Sequence, residues 1–217
     1  MAIFDLDGTL VDSVDGIALA INRRLHGRGI APLQRDEAIP LLGDGLAAFA
    51  RRAYALRQTS PVAGDIEAFV QDCLTHAEAG AQLYPGARDT LDLLVRDGWQ
   101  LAVCTNKIET AAIAMLGHLE VLDLFAAVCG GDTVERQKPD PCHIHQTLHR
   151  AGLHDVPAVM IGDNVVDLAA ARSYGIPGIF ADWGYGQLPH DVAMPSVARH
   201  FTELPQRLAA ALSCKAI

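Results

Sequence analysis

No stretch of the 217-residue chain approaches the apolar length that a bilayer-spanning helix needs, and no basic segment leads into an apolar one at its start. The expectation is a soluble, cytoplasmic protein with no membrane partner. Positive charge is scarce: 17 Lys and Arg face 26 Asp and Glu, giving a net charge of -9. That argues against a general nucleic-acid binder, which meets phosphate backbones with a basic stripe. A small phosphorylated metabolite remains compatible, because a bound metal and one or two lysines reverse the sign locally. Paired cysteines are lacking too. Cys73, Cys104, Cys129, Cys142 and Cys214 contain no CxxC and are odd in number, which fits reduced thiols. Cys214-Lys215-Ala216-Ile217 has the outline of a prenylation box, but its lysine and the absence of an upstream basic cluster make it a frayed tail. Internal repeats and low-complexity segments are also absent.

What is present is apolar sequence arranged in a rhythm. Half of the residues are hydrophobic, enough for a substantial core. Strand-like runs recur at Ala2–Leu6, Leu101–Thr105, Ala126–Cys129, Ala158–Gly162 and Gly178–Ala181, with helix-length amphipathic segments near 86–97, 107–118, 140–152 and 164–174. This alternation predicts an α/β fold, a Rossmann-like parallel sheet covered on both faces. Residues 14–82 break the rhythm, with no convincing strand and helices expected near 14–28, 35–41, 44–58 and 65–80. The expected organisation is therefore a catalytic core of 1–13 and 83–217 with an inserted small α-helical cap of 14–82. An insertion at that point would emerge over the carboxyl ends of the strands, where it could exclude water. A separate interaction domain is the alternative.

Chemistry-bearing residues follow four of the strand-like runs. The first continues into Asp5-Leu6-Asp7-Gly8-Thr9-Leu10. Acids at the end of a buried strand are costly unless their charge is offset, and a divalent cation offsets it with carboxylate and carbonyl oxygens. Alternate residues share a face, so Asp5 and Asp7 can divide the work while the Leu6 backbone points an amide at an anion. A DxDG turn or calcium loop is the plainer reading. The second run ends in Thr105-Asn106-Lys107, a hydroxyl and an amide at an expected helix start, which suit a phosphate or a simple N-cap.

The loop Glu135-Arg136-Gln137-Lys138-Pro139-Asp140-Pro141 puts Lys138 before a proline, and its prolines rigidify the approach, so that the lysine can pair with a phosphate and a nucleophilic carboxylate; otherwise it is a solvated lysine. Gly162-Asp163-Asn164-Val165-Val166-Asp167 again runs a strand into acids. If Asn164 starts the helix, Asp163 and Asp167 can face one metal, although a helix dipole also attracts Asp. Ligands of open α/β sheets bind outside the strand carboxyl ends, and all four motifs fall there. Cys142, His143, His145 and His149 suggest either zinc or a solvated helix face. Trp183 and Tyr185 suggest a binding platform or a loop packed on the core.

These motifs, in this order and across nearly the whole chain, resemble those of the haloacid dehalogenase superfamily of phosphohydrolases. The insertion and the segments Gly130-Gly131-Asp132, Lys138-Pro139-Asp140-Pro141 and Trp183-Gly184-Tyr185-Gly186 look like its phosphoglycolate phosphatase branch. The resemblance implies Asp5 as nucleophile forming an aspartyl-phosphate and Asp7 as the acid that protonates the leaving oxygen and then activates water. It implies Mg2+ held by Asp5, the Asp7 carbonyl, Asp163 and Asp167, and phosphoryl binding by Leu6, Thr105, Asn106 and Lys138. Gly43-Asp44-Gly45 stands where that branch carries a specificity loop, and Arg23, Arg24, Arg51, Arg52 and Arg57 are cap cations that could read a substrate carboxylate only by turning inward.

Asp7 distinguishes the chain from dehalogenases, and a cap without lysine distinguishes it from phosphonatases. Thr9 favours a phosphatase over sugar phosphomutases, which often have valine there. The expected enzyme is a phosphoric monoester hydrolase acting on 2-phosphoglycolate, as a monomer or homodimer. A pyrophosphatase, sugar-phosphate phosphatase or phosphomutase uses the same core, and an inactive regulatory protein is the reading from a different class.

Overall fold

The computed structural model describes residues 1–42, 45–76, 78–153, 156–188 and 196–213. The chain divides into two compact units, Met1–Asp12 with Gln82–Ile217, and Ser13–Ala81.

The Ser13–Ala81 unit contains α1 (Val14–His26), α2 (Arg35–Ala38), α3 (Leu46–Leu56) and α4 (Asp65–Thr75). Its helices close around Phe49 and Phe69, stacked with ring centroids 5.8 Å apart, and around the buried Tyr54. The helices are shorter than the sequence pattern suggests. The 35–41 segment is a single α-turn followed by a 3-10 turn at Ile39–Leu41, where Pro40 supplies no amide hydrogen. Helix α4 stops at Thr75, before the left-handed Gly80. Arg23 pairs with Asp72 at 2.8 Å and Arg57 with Glu37 at 2.5 Å. Arg28 and Arg35 are likewise paired, with Asp65 and Asp15. These four arginines thus have acidic partners within their own unit. Gly43 and Asp44 of the expected specificity loop lie outside the described residues, as does Cys214; Gly45 is the left-handed residue that opens α3.

The other unit has β1 (Ala2–Phe4), β2 (Val11–Asp12), β3 (Gln82–Leu83), β4 (Leu101–Cys104), β5 (Phe125–Cys129), β6 (Val159–Gly162), β7 (Gly178–Ala181) and β8 (Ser196–Ala198). Its helices are α5 (Ala87–Arg96), α6 (Glu109–His118), α7 (Cys142–Arg150), α8 (Val165–Tyr174) and α9 (Leu204–Ser213). Six strands form one sheet in the order β5-β4-β1-β6-β7-β8, each pairing parallel. Counted within the sheet this is the doubly wound order, and its direction reverses between β1 and β6.

Strand β1 is central and fully buried because Ala2, Ile3 and Phe4 are apolar on both faces. Ile3, Met160, Cys104, Ile144, Leu148 and Ala170 belong to one core cluster that joins the strands to α7 and α8. Strands β2 and β3 pair antiparallel as a separate ribbon where the chain leaves and re-enters this unit. That ribbon, β8 and α9 are elements the sequence pattern does not reveal: the strands have two or three residues, too few to show a period.

Candidate active site

Asp5 continues the β1 ladder by donating its N–H to the Ile161 carbonyl at 2.9 Å, so its side chain leaves the strand beside the end of β6. The chain then turns sharply, with the Leu6 carbonyl accepting from the N–H groups of Thr9, Leu10 and Val11. Gly8 makes the turn at φ +82°, and a Cβ there would lie 2.4 Å from Asp163 Oδ2. Only glycine satisfies both demands. The turn delivers Thr9 to Asp163. Its hydroxyl donates to Asp163 Oδ1 at 3.0 Å and accepts the Asp163 N–H at 3.0 Å.

At the end of β6, Asn164 caps α8 by accepting the Val166 N–H, and Asp167 Oδ2 accepts the Asn164 N–H at 3.0 Å. This reciprocal cap brings Asp167 back toward Asp163, as the four-residue spacing predicts. Asp163 Oδ2 accepts two further N–H groups, from Tyr185 at 2.8 Å and Gly186 at 3.1 Å. The 183–186 loop is therefore a support for Asp163. Trp183 donates its indole N–H to the Thr9 carbonyl and packs on Phe201, while the Tyr185 hydroxyl donates to Asp12 at 2.8 Å. Of the two readings of Trp183 and Tyr185, the core-packed loop is the one observed. Its backbone amides at Asp163 carry no sequence signature beyond the glycines that let them approach.

Lys138 lies at the centre. Its ammonium is 2.9 Å from Asp5, 2.7 Å from Asp167 and 2.6 Å from the Cys104 carbonyl, with the side chain 1% exposed. Burial alone would lower its pKa, but Asp167 and Asp5 more than offset this and hold it charged. Its loop is clipped to the end of β4: Asn106 donates its side-chain amide to the Lys138 carbonyl and accepts the Lys138 N–H. The Lys138-Pro139 peptide is cis. Thr105 is buried, and its hydroxyl accepts the Lys107 N–H at 3.2 Å. Helix α6 begins only at Glu109, so Thr105 and Asn106 precede the helix and do not cap it. Lys107, given no role by the sequence motifs, places its ammonium 3.2 and 3.1 Å from the two carboxylate oxygens of Asp7.

Among the described residues, Asp5, Asp163 and Asp167 form the one cluster of three or more potential metal ligands, with donor atoms within 4.8 Å of one another. Their charge is only partly balanced by Lys138. Burial, then the Asp5 charge, pushes Asp163 up to about 6 against the pull of the Gly186 and Tyr185 amides and Thr9. Burial, opposed by Lys138, also raises Asp167. An all-oxygen, electron-rich cluster of this kind fits a hard divalent cation. The cysteine and histidines of α7 give no comparable group. His143 faces inward, fully buried, with Nε2 3.1 Å from the Cys129 carbonyl, and burial followed by the Lys138 charge lowers it to about 4.

A doubly wound sheet with a buried lysine and three carboxylates at its switch point defines the class. The family model described as haloacid dehalogenase-like hydrolase matches residues 2–181, and the chain belongs to that family. It is 38% identical to a phosphoglycolate phosphatase of Agrobacterium fabrum over 201 residues, covering 91% of this chain and 86% of the relative. It is 33% identical to one of Chromobacterium violaceum, covering 90% and 91%. The crystal structure of a predicted phosphoglycolate phosphatase from Haemophilus somnus superposes with a TM-score of 0.84 at 26% identity, over 95% of this chain and 96% of that one. A mutant of CbbY from Rhodobacter sphaeroides, in complex with xylulose-(1,5)-bisphosphate, superposes with a TM-score of 0.72 at 26% identity, over 94% and 95%. The protein is a phosphoric monoester hydrolase of the phosphoglycolate phosphatase-like branch.

Proposed function

We propose that this phosphatase is magnesium-dependent and hydrolyses 2-phosphoglycolate to glycolate and phosphate through an aspartyl-phosphate. The carrying observation is the buried ammonium of Lys138 shared between Asp5 and Asp167, with Asp163 alongside. In this reading Asp5 is the nucleophile: one of its oxygens attacks phosphorus as the bond to the leaving oxygen breaks. Asp7 gives that oxygen its proton, then takes one from the water that attacks the acyl-phosphate. Lys138, the Thr105 hydroxyl and the backbone amides of Leu6 and Asn106 hold the phosphoryl oxygens, which suits a transition state governed by positioning and charge. Asp5, the Asp7 carbonyl, Asp163 and Asp167 would hold Mg2+, which supplies further charge neutralisation at the phosphoryl group. In this reading the Ser13–Ala81 unit is the inserted helical cap.

The substrate reading rests on the relatives' names. A sugar-phosphate substrate is the second reading, favoured by the bisphosphate in the CbbY complex. The test is phosphate release from a panel of phosphorylated acids, sugars, nucleotides and pyrophosphate, with and without chelator, and with Asp5→Asn as control. Selective turnover of 2-phosphoglycolate, lost in the variant and on chelation, is expected. Selectivity for a sugar phosphate would reassign the substrate, and chelator-resistant turnover would overturn the metal requirement.

A further inference from the structure

The whole chain has three lysines, Lys107, Lys138 and Lys215, and two of them stand at the strand ends that form the site. They are held differently. Lys138 is enclosed and committed to two carboxylates and a carbonyl. Lys107 keeps 14% of its side chain exposed, and its contacts to Asp7 are the longer ones, 3.1 and 3.2 Å. The backbone beneath it is fixed at both sides, by the Thr105 hydroxyl on its N–H and by the Gly131 N–H on its carbonyl at 2.8 Å. The ammonium alone can therefore change partner, on a flexible four-carbon stem that ends in a point charge with three donors.

Its present partner is also an acid with work to do. Resting on the mechanism proposed above, Asp7 must turn to the leaving oxygen, yet here both of its oxygens face Lys107. We infer that Lys107 is a specificity-determining residue that exchanges Asp7 for a second anion on the substrate, so that phosphomonoesters bearing a carboxylate or a second phosphate release the Asp7 carboxylate, which then takes a proton from water and passes it to the leaving oxygen. A substrate anion offers the ammonium the same charge-assisted hydrogen bonds that Asp7 supplies. A neutral substrate offers none and leaves Asp7 held. Selection then falls on kcat as well as KM, because the binding energy of a remote group is spent on arranging the acid.

The test compares wild-type protein, Lys107→Met and Lys107→Arg on 2-phosphoglycolate, on xylulose 1,5-bisphosphate and on 2-hydroxyethyl phosphate, the uncharged counterpart of phosphoglycolate. The wild type should favour at least one anionic ester in kcat/KM, and which one identifies the anion. Lys107→Met should shrink that preference by roughly tenfold or more, with kcat falling on the anionic ester, while Lys107→Arg should keep most of it. Equal losses on charged and uncharged esters, or an unchanged preference, would overturn the inference. So would a wild-type protein indifferent to substrate charge, which needs no variant. Lys107→Gln repeats the comparison should the methionine variant not fold. A protein that hydrolyses no ester overturns the mechanism beneath this inference; one that hydrolyses them without the preference overturns the role of Lys107 alone.

Discussion

Thr9 and Asp163, 154 positions apart, exchange two hydrogen bonds through one hydroxyl: it donates to the Asp163 carboxylate and accepts the Asp163 N–H, both at 3.0 Å. Both residues are buried, so the pair is shielded from bulk water. The pair locks the turn after β1 to the end of β6, across the point where the sheet changes direction.

Thr9→Val preserves shape and removes both bonds. Leaving the Asp163 N–H and one lone pair unmet should cost about 1–3 kcal/mol of unfolding free energy. Because Asp163 is in the proposed ligand set, magnesium affinity should also fall about 10–100-fold, as is usual when a ligand's outer partner is lost. Denaturant melts and calorimetric magnesium titration measure the two effects; unchanged affinity would show that Asp163 needs no such support.

Gly186→Ala addresses the other side of the same carboxylate. A Cβ there would stand 1.9 Å from the Asp163 carbonyl oxygen, so the loop must move and draw its two N–H groups off Asp163. Overpacking of this kind should cost about 1–3 kcal/mol. Thermal denaturation checks the cost, and magnesium titration should show weakening in the same sense as Thr9→Val.

Lys138→Met would leave Asp5 and Asp167 facing each other without their shared cation. Breaking a buried charge set by removing one partner should destabilise the protein by about 3–5 kcal/mol. Phosphate release should fall by at least about 100–1000-fold, the scale of losing one preorganised stabiliser of developing charge. Lys138→Arg is not expected to rescue it, because an enclosed point-charge site has no room for a planar guanidinium. Steady-state kinetics on folded variant protein decides this.

His143 supplies a pH dependence of stability. Its value of about 4 in the folded protein lies below the unfolded 6.5, so between these values the unfolded chain binds more protons and stability rises with pH. The contribution is complete above pH 6.5 and is lost as pH falls toward 4 and below. His143→Gln removes it, so the variant's unfolding free energy should decline less between pH 7 and pH 4, by about 3 kcal/mol. Parallel pH profiles for the two proteins would refute it.

Magnesium should raise the melting temperature, because a ligand of the native state alone stabilises by mass action, by about 2.7 kcal/mol at a hundredfold excess over Kd. Asp163→Asn should erase most of that gain while remaining folded. A melting curve indifferent to magnesium would place the cation elsewhere.

Much of this was legible before folding. The buried run of β1, the alternation of strands and helices, and the acids following β1 and β6 each declare themselves within a few residues, because a period or a costly charge is a local signal. The ends of α4 and α6 were less legible: α4 stops where His76 leaves helical geometry, and α6 starts only after a turn in which the Thr105 hydroxyl accepts the Lys107 N–H, neither of which ordinary helix propensity encodes. The support of Asp163 by the amides of Tyr185 and Gly186 was not legible at all, because every residue but proline carries the same N–H and only its placement makes it a donor to a carboxylate.

The sequence by itself determined the chemical groups, their order and the kind of fold that carries them, since these follow from side-chain type and short-range periodicity. Tertiary structure decided which groups meet. Parallel pairing set β4 and β6 on either side of β1, and only that adjacency brings Lys138 between Asp5 and Asp167, Thr9 onto Asp163, and Lys107 onto Asp7. Such contacts join distant segments, and the free energy that selects them comes from burying whole strands and helices together, which no window of neighbouring residues contains.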